Sequence, residues 1–408
     1  SSDLLQNSSV GPSAGSILQM LLAGAAPEGL VGQLWEVGPF SNYHQTCYFG
    51  GVFRKSLVEG WLSAGLWPSE CLVEIRAHPT YDDYWCLQNL GERAEVVNWP
   101  IAFVGGWFDI FQQGTLDAFT TIQQRGGPNT RGDVHLLMGA WTHAVNNTQV
   151  GEQVFPDSAK KPSQWPSYEE WFACWLKDQP LRVDLPPVLY YTMGELPDKL
   201  DTPGNEWRSA DTWPPESNLT SFYLTTEGGL RREPGQPGSF SYLYDPKNPV
   251  PTLGGQNLVL PMGSFDQRPI ENRSDVLLFT TEPLAEPLEV TGRITAVLYV
   301  STSTPDTDFT AKLTDVYPDG RSMLLNDGIR RLRFRNSLSN PESVTPGEIY
   351  RLEIDLWSTS MVFNAEHRIR VAISSSNSPR FEPNPNTGNP DWTSSDAVIA
   401  EQTIYVGG

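Results

Sequence analysis

A chain of 408 residues is long enough for two or three domains with substantial cores. Its 48 acidic side chains against 28 basic ones leave a net charge of −20, which argues against a nucleic-acid partner or an anionic membrane surface. No apolar run reaches the length of a membrane span and no signal-peptide pattern opens the chain, so the sequence reads as soluble, its compartment open. Cys47, Cys71, Cys86 and Cys174 lack CxxC spacing and a neighbouring histidine set, which argues against a zinc site. No metal and no cofactor is indicated.

Residues 1–10 are polar, and GPSAG follows at Gly11–Gly15, a G-x-S-x-G match centred on Ser13. ILQMLLAGAA comes next and reads as a helix, which would set Ser13 on a tight turn at its start. Glycines fit such a turn because side chains beside the serine would collide with the neighbouring strand and helix. The backbone amides of a helix N-terminus also favour a developing oxyanion. The alternative is a Ser/Gly loop that merely caps a helix.

Leu30–Val37 reads as the next strand. From about 38 to 98 the pattern breaks into short, aromatic-rich helical pieces such as VFRKSLVEGWLSAGL, an insertion where many α/β-hydrolases carry a cap. Within it, HPTYDDYW offers Asp82 and Asp83 for a substrate ammonium or hydroxyl, with Tyr81, Tyr84 and Trp85 as apolar walls. The same aspartates could equally cap a helix. His44 and His78 have no carboxylate partner in an obvious motif and read as structural.

Ile101–Val104 and Val134–Met138 are short, continuous apolar runs that read as buried strands. Each leads into a Gly-aromatic turn carrying one ionisable side chain, Asp109 in GGWFD and His143 in GAWTH. Between them Ile110–Gln124 has apolar residues at 111, 116, 119 and 122, a helical spacing. Strand, acid, helix, strand, histidine is the order in which an α/β-hydrolase sheet delivers the last two members of a Ser…Asp…His triad. Trp107 and Trp141 flank those residues, either as walls for a bulky acyl group or as core. SYEEWFACWLKD then shows an i, i+3, i+4, i+7, i+8 stripe suited to packing on a sheet. Beyond the Pro-rich 178–187 segment helical periodicity fades. Alternating strands recur at 221, 241, 276, 294, 309, 351 and 368, the texture of an antiparallel sandwich. His367 opens the last of these with no visible partner.

The succession GPSAG, GGWFD, GAWTH, then DPKNPVPTLGG, TPDTDFTAKLTDVYPDG and FNAEHRIRVAISSSNSPRF closely resembles the cocaine-esterase family, with its α-amino acid ester hydrolase and X-prolyl dipeptidyl aminopeptidase relatives. The resemblance implies a serine hydrolase with an α/β-hydrolase core over 1–180, a helical cap inserted at about 38–98, and a C-terminal β-sandwich jelly roll over 188–408. Ser13 matches the nucleophile, Asp109 the acid and His143 the base, and Ala14 would give one oxyanion N–H. The family's elbow usually reads G-x-S-[YA]-x-G, whereas Ser16 stands at the final glycine here. Relatives also carry a hundred or more residues before the elbow, including strands and an oxyanion tyrosine. An N-terminal fragment or partner subunit is therefore expected to complete the sheet. The reaction class is hydrolysis of a small-molecule ester or amide through an acyl-enzyme. The rivals are an X-prolyl-type aminopeptidase, which would need Asp82 and Asp83 to grip the substrate amine, and a degenerate hydrolase kept as a binding protein.

Overall fold

The computed structural model describes residues 6–65, 68–130, 132–197, 202–389 and 396–407; residues 1–5 and Leu66, both within stretches read above, lie outside these. Ten residues or fewer separate most chemistry-bearing positions from a strand end, so the first sheet fixes the site. Its strands are β1 (Asn7–Pro12), β2 (Leu30–Glu36), β3 (Ile101–Gly106), β4 (Val134–Gly139), β5 (Val188–Thr192) and β6 (Glu206–Ala210), side by side in chain order. The first five run parallel, and β6 returns antiparallel to β5.

Every residue of β3 and β4 is buried, because both faces of the sheet are covered. Ile101, Phe103, Leu136 and Met138 turn to the face packed by α1 (Ala14–Ala25) and α5 (Gln112–Arg125), with Met20, Leu116, Phe119 and Ile122 against them. Ala102, Val104 and Leu137 point the other way, onto Trp171 and Trp175 of α6 (Tyr168–Lys177). That helix begins in a reciprocal cap between Ser167 and Glu170, and its two tryptophans stack at 5.2 Å. α5 starts at Gln112 rather than at the expected Ile110. The Asp109 carboxylate accepts from the Phe111 amide and holds the preceding residues in a turn.

Between β2 and β3 the chain forms short helices, among them α2 (Lys55–Ser63), α3 (Glu70–Ala77) and α4 (Asp83–Cys86). The division expected at Val188 does not separate the sheets. β5 is wholly buried beside β4, and β6 extends the same sheet to Ala210. A Pro-rich stretch marks a loop but carries no information about which sheet the next strand joins.

The rest of the chain builds two four-stranded antiparallel sheets. One is ordered β7 (Gly238–Tyr244), β14 (Ala400–Val406), β9 (Leu288–Thr302), β12 (Tyr350–Phe363). The other is β8 (Leu277–Thr280), β13 (Arg368–Ser374), β10 (Asp308–Val316), β11 (Ser322–Arg331). β9 and β12 are longer than their alternating cores suggested, since pairing continues through an irregularity near Arg293 and Thr295. β12 also joins the sandwich to the first sheet. Met193 exchanges backbone hydrogen bonds with Ser360 and Val362, and Gln112 Nε2 donates to the Ser358 carbonyl at 2.7 Å.

Candidate active site

Ser13 sits between β1 and α1 with φ 56° and ψ −119°, a left-handed backbone that a non-glycine residue adopts at a cost. Its amide donates to the Glu36 carbonyl at 2.9 Å, pinning the turn to the end of β2. Gly11 is required by space, since a Cβ there would lie 2.6 Å from the Gly15 backbone. Ser16, the departure from the family pattern, is accommodated in kind. Its Oγ donates to the Gly11 carbonyl at 2.5 Å and accepts from the Glu36 amide at 3.0 Å. The bare Cα of Gly38 leaves room for it, as a Cβ at 38 would come within 2.2 Å of Ser16 Cβ.

Asp109 and His143 lie beyond the C-terminal ends of adjacent strands, and two further backbone bonds hold their loops together. The Trp107 amide donates to the Gly139 carbonyl and the Phe108 amide to the Trp141 carbonyl, both at 2.9 Å. The loops therefore meet. His143 Nδ1 donates to Asp109 Oδ1 at 2.5 Å, and Ser13 Oγ donates to His143 Nε2 at 2.7 Å. Asp109 is fully buried, its second oxygen taken by the Phe111 amide at 3.0 Å. The Phe111 ring meets the imidazole edge-on at 5.9 Å.

Burial pushes the His143 pKa down, but the charge and hydrogen bond of Asp109, helped by the charge of Glu36, outweigh it and leave the imidazole above its usual value. Glu36 was not singled out in the sequence. It ends β2, accepts from the Tyr168 hydroxyl at 3.0 Å and lies 3.7 Å from Lys161 Nζ. Ala14 opens α1, where the first amides have no intrahelical acceptor.

The remaining expected site residues are placed elsewhere. Of the two roles left open for Trp107 and Trp141, the structure shows burial in the core, with indole N–H groups donating to the carbonyls of Tyr191 and Ala159. Trp85 is likewise core, donating to the His78 carbonyl at 2.8 Å. Asp82 caps α4 by accepting from the Tyr84 amide, and its other oxygen takes His78 Nδ1 at 2.6 Å. His78 therefore has a carboxylate partner the sequence did not reveal. Asp83 is exposed in the first turn of α4. His44 stacks on Tyr81 at 4.9 Å, its pKa lowered to about 4 by burial and by nearby Arg330. His367 is paired after all, its Nδ1 donating to Asp315 at 2.8 Å. The four cysteines are free, and no cluster of metal-ligating side chains occurs among the described residues. Among those residues no helix is long and apolar enough to cross a membrane.

Residues 182–408 match the family model of the X-Pro dipeptidyl-peptidase C-terminal non-catalytic domain, and residues 68–145 match that of the X-Pro dipeptidyl-peptidase S15 family. A cocaine esterase of Rhodococcus sp. (strain MB1 Bresler) is 38% identical over 331 residues, covering 77% of this chain and 55% of that protein. The chain spans about half the length of the curated relatives it matches. Among solved structures, an aminopeptidase from a marine sediment Thaumarchaeota archaeon superposes with a TM-score of 0.84 at 24% identity, over 98% of this chain and 74% of that one. A selenomethionine-labelled α-amino acid ester hydrolase gives a TM-score of 0.82 at 24% identity with the same coverage. These two likenesses establish a shared fold.

Proposed function

Because this chain belongs to the cocaine esterase and X-Pro dipeptidyl-peptidase family, we propose that it is a serine hydrolase that cleaves a small-molecule ester or amide through an acyl-enzyme. The observation that carries this reading is the unbroken relay from Ser13 Oγ through His143 to a buried Asp109, at 2.7 and 2.5 Å. A serine hydroxyl is a weak nucleophile until a base removes its proton. His143 Nε2 takes that proton as Ser13 Oγ attacks the acyl carbon, and Asp109 stabilises the imidazolium. The Ala14 amide faces the developing oxyanion, a donor worth about 3 kcal/mol of barrier. His143 then returns the proton to the leaving alcohol or amine. Water repeats the sequence to free Ser13 and release the acid.

In this reading β1 to β6 form the α/β-hydrolase core, the helices of 38–98 act as its cap, and the two antiparallel sheets form a jelly roll without catalytic residues. An ester is the first substrate class to try, the class named in the cocaine esterase relative. The test is labelling by a fluorophosphonate together with turnover of an activated aryl ester, for wild type and Ser13→Ala. Covalent labelling at Ser13 and loss of about a millionfold in kcat in the variant are expected, as for other serine triads. A folded Ser13→Ala protein with near wild-type turnover overturns the reading.

A further inference from the structure

Arg54, just before α2 in the inserted segment, is among the largest fully enclosed side chains, only 1% exposed. Burying a guanidinium is costly, so the groups it meets repay attention. One terminal nitrogen donates to the Gln45 carbonyl and Nη2 donates to the Ile110 carbonyl at 3.2 Å, while the guanidinium lies 5.8 Å over the Trp357 ring of β12. The inserted segment, the turn after β3 and the sandwich therefore converge on this one side chain.

The Ile110 carbonyl belongs to the peptide unit whose other end is the Phe111 amide, the group that donates to Asp109 Oδ2. A peptide unit is planar, so fixing its C=O fixes the direction of its N–H. Hydrogen bonds made at both ends of one amide also polarise each other in the same sense. The charged and titratable groups around the guanidinium are Arg380, Asp109, Cys47 and Asp327. Arg380 is itself paired with Asp327, and burial holds the Cys47 thiol well above its usual pKa and hence neutral. Asp109 is thus the carboxylate that the Arg54 charge reaches through a single peptide.

Building on the hydrolase reading above, we propose that Arg54 is a positioning residue of the relay, clamping the Ile110–Phe111 peptide so that its N–H aims the Asp109 carboxylate at His143. The clamp is delivered by the inserted segment and held against the sandwich. Both therefore act on the reaction without touching substrate.

The test compares wild type, Arg54→Met and Arg54→Lys, with active sites counted by fluorophosphonate titration so that misfolded protein is not scored. Per titrated site, Arg54→Met should lose about tenfold or more in kcat with KM little changed, as a misaimed general base does. Arg54→Lys should restore only part of kcat, because an ammonium does not reach two carbonyls as the planar fork does. Wild-type kcat per titrated site in Arg54→Met overturns the proposal, whatever happens to its melting temperature. If Arg54→Met yields no folded protein, wild-type kcat per site in Arg54→Lys overturns it instead. A wild-type chain that never labels at Ser13 fails the hydrolase reading and this inference with it, whereas labelled wild type with unaffected variants fails this inference alone.

Discussion

Two histidine–aspartate pairs among the described residues have a buried carboxylate, one at the end of the parallel sheet and one inside the sandwich. His143 bonds Asp109 at 2.5 Å, and His367 bonds Asp315 at 2.8 Å, with both carboxylates fully buried. They differ at the far nitrogen. His143 keeps 12% of its side chain exposed and its Nε2 meets Ser13 Oγ. His367 is 1% exposed, its Nε2 has no hydrogen-bond partner, and Glu195 Oε1 stands 4.0 Å away. A pair of this kind is therefore not itself a site. What distinguishes the first is a serine held at positive φ within reach of the far nitrogen, and an imidazole that stays partly exposed.

Substitution of the two histidines should separate the pairs most widely. His143→Ala is expected to lose about a millionfold in kcat, and it too leaves a buried carboxylate, Asp109, without its imidazole. His367→Ala should keep turnover per active site within about twofold yet cost about 3–5 kcal/mol of folding free energy, since Asp315 would stay buried without its partner. Urea denaturation and aryl-ester kinetics on both variants read this out, and parallel losses of turnover would erase the distinction. The aspartates should follow with a smaller gap. Asp109→Asn leaves shape intact but favours the wrong imidazole tautomer, for a loss of about 10⁴ in kcat. Asp315→Asn should leave kcat unchanged, and a thousandfold loss there would assign the sandwich a chemical role.

The first pair was legible in the sequence for a simple reason. Strands buried on both faces appear as continuous apolar runs, and the Gly-aromatic turns after Ile101–Val104 and Val134–Met138 announce where such runs stop. The second pair was not, because His367 and Asp315 meet only through antiparallel pairing of β13 with β10, and no local spacing encodes that register. Tryptophan roles stayed open in the sequence for a similar reason. An indole beside a motif is the same letter whether it lines a pocket or, like Trp107, donates to a carbonyl 84 residues away. Arg54 and Glu36 had no motif at all. The one residue-level hint was Ser16 in place of glycine, which the absent side chain of Gly38 explains.

The smallest expected effect concerns Glu36, whose charge acts on His143 in the same direction as that of Asp109. Its carboxylate is one of the groups holding the imidazole above its usual pKa, after the charge and hydrogen bond of Asp109. Its side chain is 14% exposed and already accepts from Tyr168, so its share should be modest. Glu36→Gln keeps an acceptor for that hydroxyl and removes only the charge. The acid limb of kcat/KM should therefore move down by about a few tenths of a pH unit, and the gap from wild type should narrow in high salt. Stability must move the other way. A histidine whose folded pKa exceeds its unfolded value of about 6.5 contributes stability that is fully present below that value and is lost as pH rises through the folded pKa. Glu36→Gln reduces that contribution, so at low pH the variant should be slightly less stable and slightly more active than wild type. Above the folded pKa the difference in activity should vanish, and the stability gap should shrink to the small share of the Lys161 contact. Activity profiles and urea midpoints from pH 5 to 9 check both signs together, and an acid limb that moves upward would show that Glu36 does not act on His143 through its charge.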